Sequence, residues 1–590
     1  MGMHRRNSAL DYRKKNRRKI YKTLLQLALL MVVGYSLFHV LVDTESYRMP
    51  DEKEWSNRQG FIALSYFGVS RTGTPKLIDK SQLDQQLQAL KDQGYETVSQ
   101  QDILNFYHNG TALPDKALFL SFEDGRNDSS LYAQPLLEKY NYKATFLSYA
   151  DKVGSGDRKF LQPGDMRKMM KTGYWEMGSN GYRLSYINIF NRDGTFLGMK
   201  DENDLHNKDK VEYYNHYLMD FIRDENMIPV EDRAEMETRI GTDYKAMRTI
   251  YDDKLGFVPN VYMIMHANAL NEGMNRLVSD ANNANIKQIF KLHYNREGTA
   301  FNEAGADPFD LTRVQPAPYW YTNHLLMKLR KDTGQAMKFV IGDKERAKDW
   351  RVISGAAQFI DNRIALTSLP SGNGMMYLDP SDAYTDMTLT ANLSGNVIGK
   401  QSVYVRFDRN KDSYLRVSLI DNELIVDEKR PGRVATRLFT RKLGEVDWKE
   451  SDLALNKATV YSIEQTASGN SENQSEVDYP TNVKNTRELG VTVTGNALTI
   501  KVDGELQLEE RQIDSSINAG GVALESGFSE MNHKDDIYDG VFDDIRIESI
   551  RTDGERNTVL YQNSFEGLDK IVSRVKNAFD STIDWMIDTF

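Results

Sequence analysis

The chain has 590 residues, 40% hydrophobic and 27% charged, with 14 Pro, 40 Gly and no Cys, which excludes disordered, collagen-like and disulfide-stapled proteins as well as thiol nucleophiles, iron–sulfur clusters and Cys-ligated zinc. At about 100–200 residues per domain, the length points to two or three folded units. The formal net charge is −10, but residues 1–22 hold nine Lys and Arg against Asp11 alone, so the remainder is near −18 and nucleic acid is excluded as an expected partner.

Residues 1–19 form a basic segment, and 20–42 read IYKTLLQLALLMVVGYSLFHVLV, long enough to cross a bilayer as one helix. The apolar run exceeds a signal-peptide core, and no small-x-small cleavage site precedes DTESYRMPDEKEW. A retained single-pass anchor is therefore expected. Lys and Arg flank it on the N-terminal side and acids on the other, placing the N-terminus in the cytoplasm and the C-terminal domains outside the cell membrane.

Beyond the anchor, FIALSYF at 61–67 reads as a strand and DKSQLDQQLQALKDQGYETVS as an amphipathic helix, with Leu83, Leu87 and Leu90 at helical spacing. KALFLSFEDG at 116–125 reads as a buried strand ending in Glu123 and Asp124, followed by helical SSLYAQPLLEKY and strand KATFLSY. Alternating strand and helix predicts a parallel sheet or barrel, with chemistry at the C-terminal strand ends.

In order along the chain, LPDKALFLSFEDG, YAQPLLEKYNYKATFL, GYWEMGSNGY and LTRVQPAPYW resemble the motifs of the polysaccharide deacetylase (NodB-homology) family. The resemblance covers about 58–330 and implies a distorted parallel β/α barrel with a glycan-facing cleft. A Tyr-rich acidic stretch at about 186–255 reads as an inserted helical segment. The family's base position falls on Glu123 and its metal carboxylate on Asp124, while its two metal-binding His positions fall on Asn180 and Leu184. The family's Tyr-His pair is Tyr66-Phe67 here, and its Arg-Pro loop has no counterpart near VYMIMHANALN. Zinc, cobalt or nickel needs imidazole beside one carboxylate, and Leu184 has no donor atom, so no metal or other cofactor is expected. Glu123, Asp124, Glu176 and His266 are the candidate acid–base residues, since two facing carboxylates suffice for glycoside hydrolysis. Trp175, Asn180, Tyr182, Tyr319 and Trp320 are the candidate substrate contacts.

After a charged boundary at 331–350, short alternating strands predict an antiparallel second unit over 350–552. Val403, Val405 and Phe407, then Leu415, Val417 and Leu419, then Leu424 and Val426 alternate along a meander. It resembles a laminin-G or concanavalin-like jelly-roll sandwich. Asp408, Asn410 and Asp412 lack the Gly and the Glu of a calcium loop and read as a hairpin turn. Residues 566–590 carry one apolar helical stripe, from Leu568 to Phe590.

The fold class expected is α/β plus all-β, a barrel followed by a sandwich, with an N-terminal transmembrane helix. The function expected is action on, or binding of, a cell-surface polysaccharide without standard metal-dependent deacetylation. A non-metal glycan hydrolase using Glu123 and Asp124, a non-catalytic assembly factor and a true deacetylase stay open. Expected partners are a glycan, the membrane, and a polysaccharide synthase or export component docking on the C-terminal helix.

Overall fold

The computed structural model describes residues 46–191, 193–206, 211–264, 274–446, 483–532, 535–550 and 557–564, with 19–24, 26–27 and 30–31 near the N-terminus. The expected span at 20–42 lies mostly outside these residues, and the 566–590 stripe and His266 lie wholly outside them. Among the described residues, no helix is long and apolar enough to cross a membrane.

The first unit opens with β1 (Gly60–Tyr66), α1 (Lys80–Asp92), α2 (Gln100–Asn109), β2 (Ala117–Phe122), α3 (Asn127–Tyr140), β3 (Ala144–Tyr149), α4 (Pro163–Thr172) and β4 (Trp175–Gly181). It continues through β5 (Ser185–Asn191), β6 (Phe196–Asp201), β7 (Val211–His216), α5 (Arg233–Leu255), β8 (Val261–Met263), α6 (Arg276–Ile289), β9 (Leu292–Glu297), β10 (Leu311–Arg313) and α7 (Thr322–Thr333). β1, β2 and β3 are buried along their whole length, as parallel strands covered on both faces must be, which is why they read as near-continuous apolar runs. Local signals start the helices. The Asp79 carboxylate accepts from Ser81 N and Gln82 N at the start of α1, and Ser99 with Asp102 forms a capping box on α2.

The parallel order is β1, β2, β3, β4, β8, β9, β10. The barrel closes where Ser65 N donates to Val314 O at 2.9 Å and Val314 N donates to Ala63 O at 3.0 Å. A short strand, Phe301–Glu303, runs antiparallel against the start of β1 and distorts this seam.

The stretch read as a helical insertion at 186–255 is only partly helical. Its first half forms a three-stranded antiparallel sheet, β7–β5–β6, with a single 3-10 turn at Glu202–Asp204, and α5 is the one α-helix among its described residues. Tyr186, Ile189, Leu205 and Val211 form a small core for this sheet, and its aromatic and β-branched residues favour strand over helix. From α5, the Tyr251 hydroxyl donates to Ser148 O at 2.7 Å, tying the insertion to the C-terminal end of β3.

The second unit stacks two antiparallel sheets of seven and eight strands, running from Trp350–Ser354 to Val559–Gln562. Its last strand pairs with Asp539–Ser549, so the unit extends past the expected boundary at 552. Val403, Val405, Leu415, Val417, Leu424 and Val426 fill the core as their alternation predicts. Phe407 does not, because the strand bulges between Val405 and Asp408 with Arg406 at φ 49°. The bulge turns Arg406 inward, where it bonds Asp386 and the carbonyls of Thr385, Gly495 and Ile517. Phe407 is left on the outer face against Tyr377, Tyr404 and Tyr414. In the next turn, Asp408 accepts from Asn410 N and Lys411 N at 3.0 and 3.1 Å, the hairpin geometry expected there.

The two units meet on α7. His324 is enclosed by carboxylates of the second unit, with Nδ1 2.9 Å from Asp539 Oδ2 and Nε2 3.0 Å from Asp535 Oδ2. The Trp320 indole stacks on the imidazole at 4.3 Å and donates to Asp535 Oδ2 at 2.7 Å. Burial alone would lower the imidazole pKa, but Asp535 and Asp539 override it and push it up to about 10.

Candidate functional site

β2 delivers Glu123 and Asp124 to the C-terminal rim of the barrel, where Glu123 N donates to Tyr66 O at 2.9 Å. Glu123 is 0% exposed, and both its oxygens are engaged: Arg313 Nε donates to Oε1 at 3.0 Å and Gln315 Nε2 to Oε2 at 3.2 Å. The basic partner of Glu123 is thus Arg313, at the end of β10, rather than its sequence neighbour Arg126. Neither Arg313 nor Gln315 was legible as a site residue, since 190 residues separate Arg313 from Glu123.

Asp124 sits in the left-handed region, at φ 69°, a conformation that Asp tolerates better than most residues. Burial, countered by Arg126 and Lys159 and reinforced by Glu202 and Glu123, pushes its carboxyl up to about 7. Glu202 belongs to the insertion, so the small sheet adds charge to the rim. The Tyr149 hydroxyl, at the end of β3, is buried without a hydrogen-bond partner among the described residues. Burial raises the Tyr149 pKa well above its usual value, and Asp124 adds to the effect.

Asn180 is brought to the same rim, but its amide is committed. Its Oδ1 accepts from Asp124 N at 3.1 Å and its Nδ2 donates to Met263 O at 3.0 Å. It braces β2, β4 and β8 together. Leu184 is half-buried and has no donor atom. Among the described residues, no three His, Cys, Asp or Glu side chains gather closely enough to hold a metal ion. The residues at the expected ligand positions do not fit a divalent metal, because one carboxylate, one committed amide and an alkyl group do not make a donor set.

Three of the candidate residues lie elsewhere. Glu176 stands at the opposite end of β4 from Asn180, where its Oε2 accepts from Gln100 N at 2.8 Å and satisfies the N-terminus of α2. Trp175, 2% exposed, packs in the core against Phe122 and Phe146 and donates to Gln134. Trp320 is buried in the junction against His324. A buried indole whose N–H is already satisfied offers no face to a sugar. Tyr182 is half-buried just past the end of β4, under the Arg183 guanidinium, and Tyr319 is half-buried on the loop after β10.

Asp124→Asn is expected to stabilise the protein at pH 8 by on the order of 1–4 kcal/mol and to have no such effect below pH 4. Between the unfolded value, near 4, and the folded value, about 7, the native state holds a proton that the unfolded chain has lost. The Asp124 contribution therefore falls as pH rises through that window, and an amide escapes the loss. Urea unfolding of both proteins at the two pH values measures the difference.

Residues 110–220 match the family model described as Polysaccharide deacetylase. The poly-beta-1,6-N-acetyl-D-glucosamine N-deacetylase of Escherichia coli K12 is 23% identical over 260 residues, covering 41% of this chain and 34% of that protein. The chain thus spans about one third of the length of the curated relatives it matches. Among solved structures, a de-N-acetylase from Aggregatibacter actinomycetemcomitans is 20% identical, covering 44% of this chain and 96% of its own, with a TM-score of 0.35. IcaB from Ammonifex degensii is 17% identical, covering 44% and 93%, with a TM-score of 0.32. The family match and the curated relatives support a polysaccharide deacetylase-like domain in the first unit.

Proposed function

We propose that this chain is a membrane-anchored, outward-facing protein that binds a cell-surface polysaccharide of N-acetylated hexosamine through a deacetylase-like barrel, without metal-dependent deacetylation. The observation that carries this reading is the rim itself. Asn180 spends both ends of its amide on backbone, and Glu123 spends both oxygens on Arg313 and Gln315. The polymer class is that of the poly-beta-1,6-N-acetyl-D-glucosamine N-deacetylase of Escherichia coli, to which part of the chain is similar. A body near −18 also suits an uncharged glycan better than an anionic one. The second unit is read as a laminin-G or concanavalin-like sandwich. The 566–590 stripe is read as the contact to a synthase or export component.

The purified full chain is expected to bind β-1,6-linked N-acetylglucosamine oligomers and to release no acetate from them, with or without added zinc. It is also expected to retain far less than one equivalent of zinc after dialysis, measured by elemental analysis. Zinc-stimulated acetate release would overturn the reading.

A metal-independent hydrolase is the second reading. It is favoured by the buried Tyr149 hydroxyl, which has no hydrogen-bond partner among the described residues and lies within electrostatic reach of Asp124, whose carboxyl burial pushes up to about 7. In that case Asp124, rather than the ion-paired Glu123, moves the proton. Asp124→Asn should then abolish glycan cleavage, whereas cleavage surviving in that variant removes Asp124 from the mechanism.

A further inference from the structure

Where the two units meet, a cleft of about 400 Å³ opens between the barrel and the second unit. One wall is the segment after β1, with Thr72, Thr74 and Pro75, continuing to Asp79 and Gln82 at the start of α1. Pro318 and Tyr319 from the loop after β10 form another wall, and Val483 and Lys484 of the second unit form the third. The volume falls in the ~300–1,000 Å³ range of small-ligand sites.

The walls are held in place. Thr74 Oγ1 accepts from Lys76 N and Leu77 N at 3.1 and 2.9 Å, Asp79 caps α1, and the Gln82 amide donates to Trp320 O. The loop that carries Tyr319 is the loop whose Gln315 touches Glu123, so cleft and rim share the C-terminal face of the barrel.

We infer that this cleft is a saccharide subsite, taking an uncharged sugar segment of the polymer whose chain crosses the rim at Asp124. The inference rests on the proposed glycan-binding function and adds where the chain lies. A pyranose has apolar C–H faces and a polar hydroxyl edge. The cleft offers the Tyr319 ring and Pro318 on one wall and Pro75 on another, with hydroxyl, amide, carboxylate and ammonium groups among its lining side chains. Lys484 is the one cation among the described residues that line the cleft, and the body around it is strongly acidic, which disfavours an anionic ligand. The second unit thereby becomes part of the binding surface instead of a spacer.

The test is the affinity of the full chain for β-1,6-linked N-acetylglucosamine oligomers, measured calorimetrically for the wild type, Tyr319→Ala and Tyr319→Phe. Tyr319→Ala should bind about tenfold more weakly and Tyr319→Phe within about twofold of wild type, because the ring and not the hydroxyl supplies the stacking face. Both variants should still unfold cooperatively, Tyr319→Ala below wild type because its ring packs on the barrel core, and hydrogen exchange should show that the oligomer protects residues 72–82. Wild-type-like binding by Tyr319→Ala, with no protection of 72–82, overturns the subsite while leaving the glycan-binding reading intact. Failure of the wild type to bind any oligomer overturns both.

Discussion

Replacing His324 with alanine is expected to destabilise the protein by about 3–5 kcal/mol at pH 6, the usual cost of stranding buried charges. His324 is 1% exposed and sits 2.9 and 3.0 Å from Asp539 and Asp535, so the substitution leaves two carboxylates facing a cavity inside the junction. The pH dependence follows from the direction of each shift. The His324 pKa is raised to about 10 in the folded state, so its contribution is complete below the unfolded value near 6.5 and is lost as pH rises through 10. The Asp539 pKa is lowered despite burial, mainly by His324, so its contribution is present above the ordinary carboxylate range and is lost as pH falls below it. The gap between wild type and His324→Ala in urea unfolding should be widest near pH 6 and should narrow toward both extremes. A loss under about 1 kcal/mol at pH 6 would mean that the junction is held by its apolar contacts instead.

Arg313→Met should cost a similar ~3–5 kcal/mol, because the fully buried Glu123 carboxylate keeps the Gln315 amide as its one side-chain partner among the described residues. Pairing it with Glu123→Gln removes the stranded charge. The double variant is therefore expected to recover most of the loss, giving a coupling energy of at least about 2 kcal/mol in the double-mutant cycle. Additive losses would show that Arg313 stabilises the barrel through packing or through Glu297, 3.9 Å away, and not through Glu123. The same cycle bears on function. If glycan binding survives in the double variant, the ion pair is an architectural replacement for the rim chemistry that the motif implies.

Much of the barrel was legible because its determinants are local. The buried runs in β1, β2 and β3 announce strands covered on both faces, and Asp79 and the Ser99–Asp102 box mark helix starts within a few residues of themselves. The insertion was misread as helical because short strands of mixed aromatic and polar residues carry a weak periodic signal. Only pairing in β7–β5–β6 gives Tyr186 and Ile189 a common face. The bulge at Arg406 likewise broke an alternation that the residues alone continue through Phe407.

The candidate site divides in the same way. Residue identity and strand direction are enough to put Glu123 and Asp124 at the end of a buried strand, and the family resemblance is what marks Asn180 and Leu184, an amide and an alkyl group, as the expected ligand positions. What those residues touch depends on long-range packing. The run Trp175–Gly181 reads as one motif, yet at about 3.3 Å per residue it carries Glu176 and Asn180 to opposite ends of a strand, so only Asn180 reaches the rim. Glu123 meets Arg313 across 190 residues, and His324 meets Asp539 across 215. No spacing rule reaches that far. Those charges are paired because barrel closure and the docking of the second unit bury them, and a buried charge is tolerated only where the fold brings it a partner.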